Sequence, residues 1–142
     1  KDLGYLFPIG RLDLDTSGLL LLTNDVQLGD RLTSPRSKVW KRYRVEVDAP
    51  VALADAERIA KGVIIAGQRT LPARVRRLDA RRLEIEIIEG RNRQVRRMLE
   101  AIGRRVVALR REAIGPLTLG RLPEGHWRDL TAAEIRALGE RA

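Results

Sequence analysis

Four consecutive leucines, at positions 19–22, follow a stretch that holds two aspartates and two glycines. A short apolar run of this kind is typical of a strand buried on both faces, so we predict a core strand over residues 19–23. Asp13 and Asp15 would then lie at the mouth of that strand, where a side chain is held rigidly and still reaches solvent. A carboxylate in such a position is a candidate for chemistry.

The remainder of the chain is strongly basic. Lysine and arginine together number 28 against 19 aspartates and glutamates, which gives a net charge of +9. A charge of this size is informative about partners, and nucleic acid is the first expectation. An anionic membrane surface is less favoured, because no basic segment has the broad apolar face of a membrane-binding helix. A general arginine bias of the source proteome is the alternative to a polyanionic partner.

The scarcity of cysteine and histidine excludes several kinds of site. The chain has no cysteine and a single histidine, His126, so disulfides, thiolate metal sites, a cysteine nucleophile and multi-histidine metal sites are ruled out. No apolar window is long enough for a membrane span and no signal peptide is present, which predicts a cytoplasmic protein. The sequence opens at Lys1 without a methionine, so we expect a fragment of a longer protein.

The periodicity of apolar residues predicts a mixture of strands and helices. Helices are expected over residues 26–32, 51–61 and 92–102, and after a capping box that begins at Thr131. Further strands are expected at 43–47, 63–65, 73–78, 83–88 and 106–109. Because neighbouring strands are joined by hairpin-like turns, the predicted class is α+β, with a mixed, mainly antiparallel sheet and flanking helices in one domain over residues 1–142.

Two interpretations of the aspartate pair remain open at this point. Asp13 and Asp15 are two residues apart, so in an extended segment their side chains point the same way. That spacing fits a paired-carboxylate Mg²⁺ site, or a turn in which one aspartate makes local hydrogen bonds and the other is solvated. Arg11 is placed to pair with Asp13 and to keep it ionised, as a nucleophile or general base requires.

A second candidate region covers residues 38–44, where two aromatic rings alternate with four cations. This composition is typical of a nucleic-acid surface, on which rings stack against bases and cations hold phosphates. Trp40 is more simply interpreted as a partly buried ring. For Tyr43 the corresponding alternative is a hydroxyl that satisfies a hydrogen-bond acceptor in the core.

A third candidate region is the arginine-rich helix predicted over 92–102. Helical geometry places Arg93 and Arg97 opposite the apolar stripe, where they are suited to phosphate contacts. Arg96 lies at the edge of the stripe, so its head group can turn inward to reach a buried carboxylate. An ordinary solvated face of an amphipathic helix is the alternative interpretation.

Together these regions resemble the catalytic domain of the Rsu-type pseudouridine synthases, which isomerise uridine in ribosomal RNA. The resemblance covers essentially the whole chain and rests on the segments Gly10-Arg11-Leu12-Asp13-Leu14-Asp15-Thr16-Ser17-Gly18-Leu19-Leu20-Leu21-Leu22-Thr23-Asn24-Asp25, Lys41-x-Tyr43, Glu89-Gly90-Arg91-x-Arg93-Gln94-Val95-Arg96-Arg97-Met98, Ile114-Gly115-Pro116-Leu117 and Leu122-Pro123-Glu124-Gly125-x-Trp127-Arg128-x-Leu130-Thr131.

The resemblance implies roles for individual residues. Asp13, not Asp15, matches the catalytic aspartate. Tyr43 matches the tyrosine that stacks on the target base and is proposed to help remove the C5 proton. Arg96 matches the basic residue paired with the catalytic acid, and Arg11 a motif arginine near the flipped nucleotide.

Other positions are implied to contact the RNA. Leu117 matches an apolar residue that packs on the base. The remaining residues expected to bind RNA are cations of the Lys41-x-Tyr43 segment and of the segment over residues 89–98, here called the third motif. They are Lys41, Arg91, Arg93 and Arg97.

The resemblance also implies properties of the whole chain. The reaction needs no metal and no cofactor, and the expected state is a monomer. The ending Gly125-x-Trp127-Arg128 resembles the members that act on large-subunit rRNA, so that RNA is the expected partner. Family members usually carry an S4 domain and a first catalytic strand ahead of the region that begins at Lys1, so this is expected to be a partial domain with an exposed sheet edge.

Two rival functions are kept beside this one. A non-catalytic RNA-binding or ribosome-assembly module would need the cations and the aromatic rings but not Asp13. A Mg²⁺-dependent nuclease would use Asp13 together with Asp15.

Overall fold

Ten strands and four helices follow one another in a computed structural model that describes residues 4–141, apart from the side chains of Pro35, Glu140 and Arg141. The strands are β1 (Phe7–Ile9), β2 (Ser17–Gly18), β3 (Leu21–Thr23), β4 (Lys41–Val47), β5 (Ile64–Ile65), β6 (Gln68–Arg69), β7 (Arg74–Arg77), β8 (Arg82–Ile87), β9 (Val106–Ile114) and β10 (Leu117–Thr118). The helices are α1 (Val26–Thr33), α2 (Leu53–Lys61), α3 (Gln94–Ala101) and α4 (Ala132–Arg141).

The central sheet has the strand order β10-β9-β4-β8-β7, and each of these neighbours is antiparallel. β2 pairs with β9 in the parallel sense. Two smaller antiparallel pairs, β1 with β3 and β5 with β6, complete the strands of the described region. The predicted α+β class with a mainly antiparallel sheet is confirmed.

The main core lies on one face of this sheet. Val45, Leu83 and Ile85 project from the strands against Met98 and Leu99 of α3, and all five are essentially inaccessible to solvent. Alternation along β4 places the side chains at 43, 45 and 47 on this face, as the sequence predicts. The helix α3 is thereby fixed against the sheet.

A second core cluster joins the beginning of the chain to its end. Its members are buried apolar residues contributed by loops, by short strands and by α1 and α4, namely Ile9, Leu19, Leu21, Leu32, Val39, Ile114, Leu117 and Leu138. This cluster fixes the segment before β3 against the end of β9.

The helices begin close to the predicted positions. The Asp25 carboxylate accepts a hydrogen bond from the Leu28 amide at the start of α1, and α2 ends at Gly62. The helix α3 begins at Gln94, two residues later than predicted, because Arg93 has a left-handed φ of 52° that cannot belong to the helix.

The leucine run does not form the doubly buried strand that was predicted. Leu19 and Leu21 are buried, but Leu20 is 41% and Leu22 is 56% exposed. The reason is that β3 pairs only with β1 and has the second core cluster on one face alone. Ile135 was likewise expected to share a buried face with Leu138, and it is 52% exposed.

None of the helices between residues 4 and 141 is long and apolar enough to cross a membrane. The expectation of a missing first strand ahead of Lys1 lies outside the described residues.

Candidate active site

The candidate site is built around residues 10–19, here called the motif loop. The Thr16 amide donates a hydrogen bond to the carbonyl oxygen of Asp13 over 3.0 Å, which closes a tight turn. Leu14 and Asp15 occupy the corner of this turn, and Leu14 is fully exposed. The spacing of the two aspartates was compatible with an extended segment. The structure instead places them in a turn.

Arg111 of β9 anchors both ends of the motif loop. Its Nε donates to the carbonyl oxygen of Leu19 over 2.8 Å, and its Nη2 donates to the carbonyl oxygen of Gly10 over 2.6 Å. The Leu19 amide donates in return to the Arg111 carbonyl oxygen over 2.7 Å. The Arg111 side chain is buried, with only 2% of the residue exposed.

The approach of the motif loop to β9 requires glycine at position 18. Gly18 has a φ of +114°, and a Cβ atom there would lie 2.1 Å from the carbonyl oxygen of Arg111. A backbone carbonyl cannot move aside as a flexible side chain can, so this contact explains the glycine of the motif.

The first turn of α3 holds the corner of the motif loop through Asp15. Arg93 donates two hydrogen bonds to the Asp15 carboxylate, of 3.1 and 3.0 Å, and Arg96 Nη2 donates to the Asp15 carbonyl oxygen over 2.5 Å. The Nε of Arg96 lies 3.4 Å from Asp15 Oδ1, close enough for an ion pair but not aligned for a hydrogen bond. The hydrogen bonds from Arg93, with the nearby charge of Arg96, hold the pKa of Asp15 below its usual value.

Asp13 receives a weaker contact from the same helix. Its Oδ2 lies 3.8 Å from Arg93 Nη1, and its side chain is 42% exposed. The predicted pairing of Arg96 with Asp13 is therefore wrong for this structure, in which Arg96 contacts Asp15. The turn at residues 13–16 is the cause, because it directs Asp15 towards α3. Arg93 was expected to contact phosphate. In the structure it lies within ion-pair distance of both Asp13 and Asp15.

Tyr43 lies beside the anchor of the motif loop. Its Cα pairs in register with that of Arg111 on β9 and with that of Ile85 on β8. Directly opposed residues of an antiparallel pair place their side chains next to each other on one face. The ring is partly buried and packs against the main core.

Lys41 belongs to a buried polar cluster beneath the third motif. Its Nζ donates to the carbonyl oxygen of Glu89 over 3.2 Å. The Glu89 Oε1 accepts from the Gln94 side chain over 2.7 Å and from the Leu71 amide over 2.8 Å. Burial, reinforced by the positive charge of Arg111, lowers the pKa of Lys41 to about 8. Alternation along β4 directs Lys41 inward, and its predicted contact with RNA stays a prediction.

Arg91 is also engaged within the protein. It donates to the carbonyl oxygens of Gln68 and Ile65, and so holds the hairpin formed by β5 and β6. By contrast, Arg11 and Arg97 are exposed, and neither forms an ion pair within the described part of the chain. These two remain available for phosphate contacts, and the predicted Arg11–Asp13 pair does not form.

Leu117 lies at the start of β10 and is 3% exposed in the second core cluster. Its predicted contact with a base stays a prediction.

The basic and aromatic stretch at 38–44 does not present all of its cations to solvent unpaired. Arg42 lies 3.9 Å from Glu84, and Arg44 lies 3.6 Å from Glu112, so two of its four cations pair with neighbouring strands. The Trp40 ring is partly buried beneath the Arg74 guanidinium, which lies 3.9 Å from the ring centroid. The simpler interpretation of Trp40 is confirmed.

Sequence reasoning did not single out Arg111 or the structural role of Asp15. Arg111 could have been found from the pattern of β9, since it occupies a core-facing position between buried Leu109 and Ala113. The contacts of Asp15 depend on the turn and leave no signal in the spacing. Among residues 4–141, no group of three or more histidine, cysteine, aspartate or glutamate side chains is arranged to hold a metal ion.

Comparisons with known proteins identify the family of this chain. Residues 2–101 match the RNA pseudouridylate synthase family. The chain is 44% identical over 137 residues to the ribosomal small subunit pseudouridine synthase A of Salmonella typhimurium, and 43% identical over 136 residues to that of Escherichia coli K12. Each alignment covers 94% of this chain and 59% of the relative, so the chain spans about three fifths of their length.

A solved structure gives the same result for the fold. The crystal structure of a pseudouridylate synthase superimposes with a TM-score of 0.90 at 42% identity, covering 94% of this chain and 59% of that one. An archaeal box H/ACA Nop10–Cbf5 complex matches with a TM-score of 0.53 at 19% identity, which shows a shared fold alone.

The expectation of a large-subunit partner is wrong. The relatives named above are small-subunit synthases at 43–44% identity. The short ending at 125–128, on which the expectation rested, carries far less information than an alignment along the whole chain. With a family match over residues 2–101, most of its length, the chain belongs to the RNA pseudouridylate synthase family.

Proposed function

We propose that this chain isomerises uridine to pseudouridine in small-subunit rRNA, with Asp13 as the catalytic carboxylate. The observation that carries the proposal is the position of Asp13. It lies partly exposed on a loop whose two ends and corner are held by three arginines, Arg111, Arg93 and Arg96. The relatives' names supply the reaction and the RNA.

The chemistry requires only groups that this chain has. The bond between uracil N1 and ribose C1′ breaks, the base turns, and a bond forms between C5 and C1′. The proton on C5 is then lost and N1 gains one, so the product is an isomer of the substrate. Asp13 acts as a nucleophile at the sugar or as a base at C2′, and both routes need a carboxylate at this position.

The target base must first leave its stack, at a cost of a few kcal/mol. In the proposal, contacts of Arg11 and Arg97 with phosphates and stacking of the base on Tyr43 offset this cost. Tyr43 also assists removal of the C5 proton. Arg96 acts through the main chain of the motif loop, since it holds the carbonyl oxygen of Asp15.

The matched variants Asp13→Asn and Asp15→Asn test the proposal. Small-subunit rRNA fragments are incubated with each protein and mapped for pseudouridine by carbodiimide treatment and primer extension. Asp13→Asn is expected to give no product while binding RNA within about 2-fold of wild type, because the phosphate contacts come from cations and asparagine keeps the size and shape of the side chain. Asp15→Asn, which keeps the carboxylate at position 13, is expected to retain measurable turnover.

Other outcomes would redirect the assignment. Full activity in Asp13→Asn would contradict the role of Asp13. A wild-type chain that binds RNA tightly but leaves no new pseudouridine would favour the binding module. RNA cleavage that stops with EDTA would favour the nuclease.

A further inference from the structure

We infer that Arg111 is a positioning residue that holds the loop carrying Asp13 against Tyr43, an inference that rests on the proposed function. Arg111 contributes no group to the chemistry itself. It acts through the motif loop, and its effect is therefore expected on the rate of the chemical step and not on RNA affinity.

The burial of Arg111 is not explained by an ion pair. Only 2% of the residue is exposed, and none of the ion pairs in the described part of the chain includes it. Burying a guanidinium without a carboxylate costs free energy that an apolar side chain of similar size would not. A purely structural core position on β9 would be better filled by leucine or methionine.

The hydrogen bonds of the guanidinium are what distinguish it from an apolar residue. One side chain binds the carbonyl oxygens of Gly10 and Leu19, the first and last residues of the motif loop. Both bonds are short, at 2.6 Å to Gly10 and 2.8 Å to Leu19; the bond to Leu19 is buried and the bond to Gly10 is partly buried. A lysine has a single donor group and a glutamine a single amide, so neither reproduces the planar fork that spans both carbonyls.

The backbone of Arg111 reinforces the same contact. β2 lies parallel to β9 with Gly18 in register with Arg111, and the Leu19 amide donates to its carbonyl oxygen. The end of the motif loop is thus held by both the backbone and the side chain of Arg111, whereas Gly10 receives only its side chain, one residue after the strand pairing of β1 ends at Ile9. Loss of the guanidinium would release chiefly the segment that leads into Asp13.

The position of Tyr43 connects the contacts of Arg111 with catalysis. The Tyr43 Cα is paired with that of Arg111, so the residue that anchors the motif loop is the direct neighbour of Tyr43 on β9. Catalytic groups must be held within about 0.5 Å of their working geometry, and a misplacement of about 1 Å costs about 100-fold in rate.

The test compares Arg111→Lys and Arg111→Gln with Arg110→Lys and Arg110→Gln. Arg110 is the exposed neighbour on the same strand. Its backbone is in register with Ser17, but its side chain alternates to the opposite face from Arg111 and makes no hydrogen bond or ion pair in the described region, so it controls for changes of charge and strand propensity. Each chain is measured for its single-turnover rate at saturating small-subunit rRNA transcript and for its RNA dissociation constant. Amide hydrogen exchange of residues 10–19 is followed without RNA.

Both Arg111 variants are expected to lose about 100-fold in single-turnover rate. Their RNA dissociation constants are expected to stay within about 3-fold of wild type, since the guanidinium is buried and contacts no phosphate. Residues 10–19 should exchange faster in these variants. The Arg110 variants are expected to keep the wild-type rate and exchange.

Three results would overturn the inference: a wild-type rate in both Arg111 variants, unchanged exchange over residues 10–19, or loss of the fold in both, which would make Arg111 a core residue only. If the wild-type chain itself forms no pseudouridine, the proposed function fails. The exchange data then still decide whether Arg111 holds the motif loop.

Discussion

At the scale of single residues, Lys41 shows how strand alternation decides a side chain's role. The same alternation that directs Tyr43 towards the core places the Lys41 ammonium among buried groups, where it donates to the Glu89 carbonyl oxygen. Arg111 is close enough to lower the pKa of Lys41 through its charge. A cation in this position costs stability for as long as it remains charged.

This arrangement predicts an unusual pH dependence of stability. The pKa of Lys41 is about 8 in the folded chain against 10.5 for an unperturbed lysine. Between these values the unfolded chain binds more protons than the folded chain, so the free energy of unfolding should rise with pH. Relative to Lys41→Met, the wild-type chain should gain stability from pH 8 to 10.5, by up to roughly 3 kcal/mol.

Urea unfolding at a series of pH values measures this difference. The other titrating groups cancel in the comparison of wild type with Lys41→Met. Lys61→Met, which removes an exposed lysine at the end of α2, is the matched control and should show a constant difference. A constant difference for Lys41→Met as well would contradict a lowered pKa at this position.

At the scale of elements, α4 offers the clearest local test, since its start is a reciprocal pair of hydrogen bonds. The Glu134 amide donates to Thr131 Oγ1 over 3.1 Å, and the Thr131 amide donates to Glu134 Oε1 over 2.8 Å. The sequence predicts this capping box, and the structure confirms it. Leu138 ties the helix to the second core cluster.

Removing the capping hydroxyl should therefore destabilise the fold measurably. Thr131→Ala is expected to cost about 1 kcal/mol of unfolding free energy, because one amide of the first turn loses its acceptor. Thr131→Ser keeps the hydroxyl and should remain within about 0.5 kcal/mol of wild type. Equal stabilities for the alanine and serine variants, by urea denaturation, would show that the cap contributes nothing to the fold.

How much could be predicted from the sequence depends on how far apart along the chain the interacting residues are. Periodicity and caps are local, so β4, β8, α1 and α2 were placed within a few residues. The partners of the motif arginines depend on contacts between segments distant in sequence. Arg93 and Asp15 are 78 residues apart, and Arg111 and Gly10 are 101 apart. No spacing rule reveals such pairs, which is why the partner assigned to Arg96 was wrong.

At the scale of the whole molecule, the net charge of +9 does not mean that every cation is available to RNA, because several cations pair with carboxylates of the protein. On the solvent face of the sheet, Arg42 and Arg76 both lie within ion-pair distance of Glu84. Arg97 lies on the exposed side of α3, next to the turns that hold the motif loop, and pairs with no carboxylate in the described region. RNA binding should therefore depend on a small set of arginines near the motif loop, and weakly on the arginines of the sheet face.

Salt dependence of RNA affinity distinguishes these two sets. Each phosphate contact releases condensed counterions, so the slope of log K against log salt counts the contacts, at about 0.7–0.9 each. Arg97→Gln is expected to weaken binding and to reduce this slope by about one contact. Arg42→Gln removes the same charge from a paired position and should leave the slope unchanged. Filter binding of a small-subunit rRNA transcript between 50 and 200 mM salt supplies the measurement. Equal slopes for the two variants would mean that affinity follows net charge alone and that α3 does not lie against the RNA backbone.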